Sequence, residues 1–458
     1  MQASRYTARV GNTGTIIPGA LIIGGLLFWT FRHIASIYAT HGQHLQAVWL
    51  FAFAVLLIEM SMCFTERRYR TTWRQQKVLN ESHLVGVIPV YNEDPAALRE
   101  CIASMLRQTR PLNCLWVTDD GSTSVVDYAE VRKWFFRVAE AAGVRPVWHW
   151  QPNAGKRHAQ GAAIAATPEA DFYLTVDSDA ILDPDAVREG LKPFAHSEVQ
   201  SVAGVIMVAN QVNLLTRFTD LWFVIGQLVD RSSMSAAGSV LVNSGALAFY
   251  RGSLLRDNLD GYLNEMFFGR VIETSDDSLL TIYALLKGKA VQQHSSFSFT
   301  FMPEKYSHHR RQYLRWMRGA FIRAWWRFRY LPVRKAAYWF NLIGWVQVIL
   351  STVTFIALFI YGTIRTPDGL PFLMLIPVLV GYGQGLRYFM IRRSDIRFRQ
   401  QLVMFLLMPV LVFYGWFVLR ALRFYAMATC LNVGWGTRET VEITMADAST
   451  PAYSTLKG

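Results

Sequence analysis

The chain has 458 residues, of which 52% are apolar and only 17% are charged. Soluble proteins carry roughly 25% charged residues, so this composition argues against an ordinary soluble protein and for one with membrane-embedded parts. Lysine and arginine outnumber aspartate and glutamate by 46 to 33, which gives a formal net charge of +13. Many of these cations flank apolar segments, so we attribute the excess to the positive-inside rule and expect no nucleic-acid partner.

Two apolar segments lie near the start of the chain, residues 16–31 and 45–63. Each approaches the roughly 20 residues that a membrane-spanning helix needs. Arg5 and Arg9 precede the first segment, and the arginine-rich "TERRYRTTWRQQK" follows the second. Because positively charged flanks stay in the cytoplasm, the pattern predicts a transmembrane hairpin within residues 1–75.

Residues 80–305 have the pattern of a soluble domain. Short β-branched runs such as "HLVGVIPV", "CLWVTDD" and "FYLTVDSD" alternate with helical stretches. This βαβ alternation predicts a Rossmann-like α/β domain with a mainly parallel sheet flanked by helices. Ligands bind at the carboxyl ends of the strands in such sheets, and each of these runs ends in or leads into polar or acidic residues.

The C-terminal part is again apolar. The basic and aromatic segment "RRQYLRWMRGAFIRAWWRFRY" predicts an amphipathic helix within residues 306–333 that lies along the membrane interface. Three apolar blocks follow within the predicted transmembrane region 334–428: about 336–364, 370–391 and 402–425. Three full crossings would put the tail, residues 429–458, outside the cell. A cytoplasmic tail requires that one block is interfacial or re-entrant, or that one block contains two crossings.

Three acidic clusters stand out in the α/β domain. They are Asp119-Asp120, Asp177-Ser178-Asp179 and Asp276-Asp277, and the first two directly follow predicted strands. An acidic residue at a strand end is often only a helix cap or a turn former. Clustered carboxylates repel one another, however, unless a cation neutralises them. A D-x-D turn offers oxygen ligands for Mg²⁺ or Mn²⁺, which predicts a site where a metal holds a diphosphate.

Two further motifs are compatible with binding of phosphate and sugar. The segment "QPNAGKRHAQGAA" combines Gly155 with Lys156 and Arg157, which suits a phosphate-bearing ligand, although a solvated basic loop has the same composition. Gln312 and Arg315 share a face of the predicted interfacial helix beside Trp316, whose ring could stack on a sugar. The alternative for these residues is a membrane-interface anchor.

Taken together and in this order, the motifs resemble those of the processive family 2 glycosyltransferases: hyaluronan synthase, the nodulation-type chitin oligosaccharide synthase and, more distantly, cellulose synthase. The resemblance is nearest to hyaluronan synthase and covers roughly residues 84–438. Its elements are "VIPVYNED", "DDGS", "NAGKRHAQ", "DSD", "NSGALAFYRGS", "SDDSLLT", "QYLRW" and "WGTR". It implies a GT-A catalytic domain on a transmembrane helical bundle, in the inner plasma membrane with the catalytic domain and "WGTR" in the cytoplasm.

The resemblance also implies roles for individual residues. Asp277 would be the catalytic base, with Asp276 beside it, and Asp179 would be the metal ligand. The acceptor would contact Ser244, Gly245, Gln312 and Trp316. The nucleotide-sugar would contact Tyr91, Glu93, Asp120, Lys156, Arg157, Asp177, Arg315, Trp435 and Arg438.

The implied function is inverting, Mg²⁺- or Mn²⁺-dependent polymerisation of UDP-sugars, UDP-GlcNAc and UDP-GlcA, into a β-linked polysaccharide that leaves through the protein's own membrane channel. One departure is "SDDS" at residues 275–278, where hyaluronan synthases usually carry "GDDR", and it leaves the sugars open. The alternatives are a chitin-type homopolymer synthase, and a transferase that adds one or a few sugars to a lipid or an oligosaccharide. A non-catalytic membrane transporter or scaffold is disfavoured by the intact acidic pairs.

Overall fold

The computed structural model describes residues 6–11, 13–39, 58, 61–365 and 367–432 of the chain. Most of the second predicted N-terminal segment lies outside these residues. The "WGTR" motif, with Trp435 and Arg438, lies outside them entirely.

The strands form one large sheet and two small ones. In chain order they are β1 (Ala8–Val10), β2 (Leu84–Val90), β3 (Cys114–Asp119), β4 (Arg145–Trp150), β5 (Phe172–Thr175), β6 (Ala180–Leu182), β7 (Val199–Val208), β8 (Ala248–Arg251), β9 (Met266–Phe267), β10 (Arg270–Val271), β11 (Lys289–Thr300) and β12 (Ile391–Arg393). The eight-stranded sheet has the order β4-β3-β2-β5-β8-β7-β11-β6. Strands β4, β3, β2 and β5 run parallel, whereas β8 is antiparallel to both of its neighbours. The sheet is therefore mixed, with its parallel half at the β4 side.

Helices cover both faces of the sheet and form the membrane part. In chain order they are α1 (Ile17–Ala39), α2 (Trp73–Glu81), α3 (Pro95–Leu106), α4 (Ala129–Ala141), α5 (Lys156–Ala166), α6 (Ala186–Leu191), α7 (Leu214–Gly226), α8 (Ser232–Ala236), α9 (Gly252–Asp257), α10 (Leu259–Leu263), α11 (Asp276–Lys287), α12 (Tyr306–Tyr330), α13 (Ala336–Arg365), α14 (Leu370–Gly385), α15 (Phe398–Leu406), α16 (Met408–Phe413) and α17 (Arg420–Ala428).

The sheet separates two apolar cores because successive residues of a strand point to opposite faces. Ile88 of β2 packs in the core that includes Ile102 of α3 and Phe135 of α4. Val87, the preceding residue, packs in the core that includes Ile164 of α5 and Leu280 of α11. All seven residues of β2 are buried, which is the pattern of a parallel strand covered by helices on both faces.

In the part of the chain that the structure describes, four helical segments are long and apolar enough to cross a membrane. They are Ile17–Ile37, Ala336–Ala357, Leu370–Met390 and Met408–Ala428. Large apolar side chains such as Leu21 and Phe28 are exposed on these helices, which suits lipid contact. The basic and aromatic segment forms α12, a single helix of 25 residues, as the sequence predicts.

Both ends of the third C-terminal block contact the α/β domain. Before the block, Arg393 Nη1 lies 2.6 Å from Asp220 Oδ1, and both side chains are fully buried. After the block, Arg270 Nη1 donates to the backbone oxygen of Leu431 at 2.8 Å. A segment that starts and ends against one domain does not make a single crossing, so this geometry fits either an interfacial or re-entrant block or a block with two crossings.

Candidate active site

The turn that follows β2 lies close to the D-x-D turn that follows β5. Tyr91 directly follows β2 and is half-buried, and Asn92 turns the chain with a φ of 46°. This turn brings in Glu93, which is only 3% exposed. The Ser178 hydroxyl, from the D-x-D turn after β5, donates to Glu93 Oε2 at 2.8 Å.

Asp120, at the end of β3, is bonded to the loop that follows β4. One of its carboxylate oxygens accepts from Gln151 Nε2 at 2.7 Å and from the Ala154 N–H at 3.0 Å, and the other accepts from the Gly155 N–H at 2.8 Å. Gly155 has a φ of +90°, a backbone conformation that residues with a Cβ rarely adopt. The carboxylate thereby fixes the loop and positions Lys156 as the first residue of α5.

Lys156 bridges two of the three acidic clusters. Its Nζ lies 2.8 Å from Asp177 Oδ1 and 3.1 Å from Asp276 Oδ2. Burial alone would lower the pKa of the Lys156 ammonium, but Asp177, Asp276 and Asp277 outweigh it and raise that pKa above its ordinary value. The ammonium therefore stays charged and neutralises carboxylates that would otherwise repel one another.

The two aspartates that open α11 have different environments. Burial would raise the pKa of Asp276, but the charges of Lys156 and Arg157 outweigh it and hold this pKa below its usual value. Burial, followed by the charge of Asp276, raises the pKa of Asp277 to about 6. Neighbouring carboxyls whose pKa values are pushed apart are typical of acid–base sites, and here Asp277 is the one suited to accept a proton near neutral pH.

Several hydrogen bonds fix the carboxylate of Asp277. Its Oδ2 accepts from the Gly245 N–H at 3.2 Å, and its Oδ1 accepts from the Ser278 N–H at 2.6 Å and from the Ser278 hydroxyl at 3.2 Å. Gly245 is also needed for space, because a Cβ there would lie 2.8 Å from Lys156 Nζ and 3.1 Å from Asp177 Oδ1. The predicted acceptor residue Gly245 thus contacts the predicted base directly.

Helix α12 packs against the segment that carries these aspartates. A Cβ on Gly319 would lie 2.7 Å from the Cβ of Ser275, so the helix approaches closely. Earlier on α12, Gln312 Oε1 is buried and accepts no hydrogen bond from the described residues. The ring of Trp316 lies 5.8 Å from that of Phe223 on α7, and Arg315 is the residue before it.

The side chains of Arg157 and its neighbour Lys156 have different partners. Arg157 is 4% exposed, and its Nη1 lies 2.8 Å from Glu265 Oε2. Its Nη2 donates to the Thr274 backbone oxygen at 2.9 Å. The side chain is therefore engaged inside the protein, and the sequence-based expectation of a direct donor contact has no geometric support here.

Asp179 accepts a hydrogen bond from the Thr300 hydroxyl at 3.2 Å, and the nearby Asp177 carboxylate is partly exposed. Among the described residues there is no group of three or more histidine, cysteine, aspartate or glutamate side chains that could hold a metal ion. Mg²⁺ is commonly bound by one or two carboxylates together with substrate phosphates and water. The D-x-D pair therefore fits a metal that is shared with a bound diphosphate, and does not fit an all-protein metal cage.

Arg231 and Tyr250 also lie near Asp277, and the sequence motifs predicted a role for neither, although Tyr250 stands within the "NSGALAFYRGS" element. Arg231 Nη2 donates to the predicted acceptor residue Ser244 at its hydroxyl, at 2.7 Å, and burial lowers the pKa of Arg231 to about 10. The Tyr250 hydroxyl has no partner among the described residues, and burial followed by the charge of Asp277 raises the pKa of Tyr250 well above its ordinary value. Neither residue belongs to a cluster of like residues, so only the fold brings them to the site.

Comparisons with known proteins identify the family of the chain. The model of glycosyl transferase family 2 matches residues 87–259. A hyaluronan synthase of Streptococcus pyogenes is 31% identical over 398 residues, which are 85% of this chain and 89% of that protein. The chain belongs to glycosyl transferase family 2. An N-acetylglucosaminyltransferase of Rhizobium meliloti is also 31% identical to this family 2 protein, over 51% of the chain and 55% of the relative.

A solved structure supports the fold assignment of this family 2 glycosyltransferase. The mannosyltransferase PcManGT from Pyrobaculum calidifontis, in complex with GDP-Man and Mn²⁺, has a TM-score of 0.50 and 16% identity, and covers 85% of this chain and 99% of its own. The predicted GT-A fold with apolar helices is confirmed. As a hexosyltransferase related to hyaluronan synthases, with four helices in its described part that are long and apolar enough to span a bilayer, the chain is a membrane protein.

Proposed function

We propose that this glycosyltransferase polymerises UDP-sugars into a β-linked polysaccharide of the hyaluronan type, with inversion at the anomeric carbon. The observation that carries the proposal is the position of Asp277. It is half-buried, has a pKa raised to about 6, and directly follows Asp276, which Lys156 joins to the D-x-D residue Asp177. A single base beside a diphosphate-binding turn is what an inverting transfer requires.

In the proposed reaction, Asp277 accepts the proton of an acceptor hydroxyl. The freed oxygen attacks the anomeric carbon of an α-linked donor sugar from the opposite face. A new C–O bond forms there as the bond from that carbon to the diphosphate breaks, and UDP leaves with the electron pair. The Gly245 and Ser278 N–H groups, which donate to Asp277, orient its carboxylate for this proton transfer.

Lys156 and Arg315 would face the negative charge that develops on the leaving UDP. Lys156 is the better supported of the two, because its ammonium already lies among the site carboxylates. A divalent cation, Mg²⁺ or Mn²⁺, would be held by Asp179 and Asp177 and would supply further positive charge to the diphosphate. We assign the uridine contact to Tyr91, Glu93 and Asp120.

We assign acceptor binding to the face of the site made by α12 and the loop before β8. Gln312 has a buried carbonyl oxygen with no partner among the described residues, and Trp316 offers a ring on which a sugar can stack. Gly245, which Ser244 precedes in the chain, donates its N–H to Asp277. Trp435 and Arg438 would close over the nucleotide, and this role stays a prediction because they lie outside the described residues.

We further propose a multi-pass inner-membrane protein with a cytoplasmic catalytic domain and a polymer channel through its helices. The positive flanks of the N-terminal segments support the orientation. The contacts of Arg393 and Leu431 with the catalytic domain support a third C-terminal block whose two ends lie on the same side of the membrane, which leaves the tail in the cytoplasm.

The decisive test is a donor panel with protein purified in lipid nanodiscs. With Mg²⁺ or Mn²⁺ and the pair UDP-GlcNAc and UDP-GlcA, we expect UDP release and a polymer of high mass that hyaluronidase digests. Labelled lipid or short oligosaccharide as the sole product, with every donor, would reject the processive proposal in favour of a transferase that adds one or a few sugars.

A second candidate is a polymer of one sugar. It is supported by the N-acetylglucosaminyltransferase relative and by Ser278, which stands where hyaluronan synthases usually carry arginine and here bonds to Asp277. The same panel separates the two candidates, because a homopolymer synthase makes polymer with UDP-GlcNAc alone.

A further inference from the structure

A buried ionic cluster lies behind the site and includes no residue of the proposed chemistry. Glu265 stands between two arginines, Arg157 on α5 and Arg323 on α12. Arg157 Nη1 lies 2.8 Å from Glu265 Oε2, Arg323 Nη2 donates to the same oxygen at 2.8 Å, and Arg323 Nη1 pairs with Oε1. The three side chains are 4%, 7% and 0% exposed in the order Arg157, Glu265 and Arg323.

The same groups bind the backbone just before the catalytic aspartates. Arg323 Nε donates to the Ser275 oxygen at 3.1 Å, and both arginines donate to the Thr274 oxygen, at 2.9 Å from Arg157 and 3.3 Å from Arg323. Trp326, also on α12, donates its indole N–H to Glu265 Oε1 at 2.7 Å. Ser275 has a φ of 59°, a conformation that a residue with a Cβ keeps only when its surroundings impose it.

The charge balance of the cluster depends on Glu265. Two buried guanidinium groups carry two positive charges, and Glu265 is the anion that pairs with both. Removing one partner of a buried ion pair leaves an uncompensated buried charge, which is far more disruptive than replacing all partners by neutral groups. Without Glu265, the two arginines would repel each other and pull away from the backbone that they hold.

The cluster joins the three parts of the proposed site. Arg157 adjoins Lys156, Ser275 adjoins Asp276, and Arg323 lies two helical turns beyond Trp316 on the acceptor helix. We infer that Glu265 is a positioning residue that holds the base-bearing segment in register with the acceptor helix α12. It touches neither donor nor acceptor and acts through Arg157 and Arg323.

The expected consequence concerns which nucleophile attacks the donor. If α12 shifts relative to the segment that carries Asp277, the acceptor hydroxyl is misplaced. The donor is still bound by the parallel half of the sheet. Water then competes for the activated sugar, and UDP release becomes uncoupled from polymer growth. This inference rests on the proposed polymerisation. Substitution of Glu265 leaves the donor-binding residues unchanged, so the donor KM serves as an internal reference.

The test measures sugar incorporated into polymer per UDP released, together with kcat and the donor KM, in nanodisc-embedded full-length enzyme. For Glu265→Gln we expect incorporation per UDP to fall roughly tenfold, with free sugar appearing and the donor KM changed by less than about threefold. The matched control is Glu130→Gln, which removes an exposed partner of Lys133 and should leave the ratio unchanged. An unchanged ratio in Glu265→Gln would overturn the inference.

The double variant Glu265→Gln/Arg323→Gln separates positioning from loss of fold. Because Glu265 acts through Arg323, the two losses should not add, and we expect incorporation per UDP in the double variant to be no lower than in Glu265→Gln alone. A double variant as impaired as the sum of its single variants would contradict the inference.

If Glu265→Gln does not fold, Trp326→Phe keeps the aromatic ring and removes only the hydrogen bond to Glu265. It should lower the ratio about twofold, and no change would contradict the inference. Failure of the wild-type enzyme to make polymer in the same assay would reject the proposed function itself, whereas wild-type polymer with an unchanged ratio in the variants would reject only the role of Glu265.

Discussion

The two halves of the site hold their carboxylates in different ways. In the parallel half, Asp120 and Glu93 accept hydrogen bonds from neutral groups, mostly of the nearby loops. In the other half, Asp276 is held by the ammonium of Lys156, which comes from a distant part of the chain. The contrast suggests a preformed nucleotide-binding half built from local bonds and a transfer half whose charges balance only in the complete fold.

The largest effect is expected for Asp277→Asn. The amide cannot accept the acceptor proton, so transfer should fall by about 10³-fold or more while UDP binding persists. Radiolabelled sugar incorporation and UDP binding by calorimetry check the two parts. Asp257→Asn is the control, since it removes an exposed partner of Lys287, and a similar loss in the control would contradict a specific role for Asp277.

Lys156→Met tests the bridge between the two halves. Removal of the ammonium leaves Asp177 and Asp276 unneutralised, and we expect kcat/KM to fall by about 10²-fold. Steady-state kinetics with varied donor check this, with exposed Lys133→Met as the control. Activity within threefold of wild type would show that the bridge is not required.

Gly245→Ala tests the close approach at the centre of the site. The added methyl group would lie 2.8 Å from Lys156 Nζ, which can move, so the expected loss of kcat is roughly tenfold and not complete. Gly143→Ala is not a suitable control because Gly143 has a φ of +69°, whereas Gly226→Ala is suitable, since a Cβ there meets no other atom within 4 Å. Equal activity of the two variants would mean that Gly245 is not needed for space.

Asp120→Asn distinguishes the nucleotide-binding half of the site from the transfer half. The amide keeps one acceptor oxygen and loses the other, so the loop before Lys156 should loosen. We expect the donor KM to rise about fivefold with kcat changed by less than about twofold. A loss confined to kcat would contradict the division of the site into two halves.

The smallest effect is a shift in the pH dependence. Because the pKa of Asp277 is raised to about 6, its base form is lost as the pH falls, and kcat/KM should be halved near pH 6 and fall further below it. Asp276→Asn removes the like charge that raises this pKa, so the acidic limb of the remaining activity should move to lower pH. A limb that stays in place would show that Asp276 does not tune Asp277. pH profiles in a constant-ionic-strength buffer check both statements.

Much of the architecture was predictable from the residues alone. Buried β-branched runs separated by helices predict the strand order of the sheet only coarsely. They do predict that the polar residues after β2, β3 and β5 meet at the edge of the sheet where the carboxyl ends of the strands lie. Glu93 and Ser178 do meet there. The mixed half of the sheet was not predictable in this way, because β8 runs antiparallel between β5 and β7 and no local pattern encodes the direction of a strand.

The membrane part shows the same limit. Apolar length predicted three C-terminal blocks, and the structure has three helical segments of that length. Whether a block crosses depends on where its ends are bound, and the contacts of Arg393 and Leu431 with the α/β domain are long-range.

The sequence by itself determined the α/β class, the apolar helices of the C-terminal part and the family, because these follow from periodicity, composition and short motifs. Tertiary structure alone decided which charges neutralise one another. Lys156 and Arg157 are adjacent in the chain, yet one joins Asp177 to Asp276 and the other pairs with Glu265. Neighbouring side chains at the start of a helix point in different directions, and electrostatic energy depends on distance in space, so only the folded chain could assign their partners.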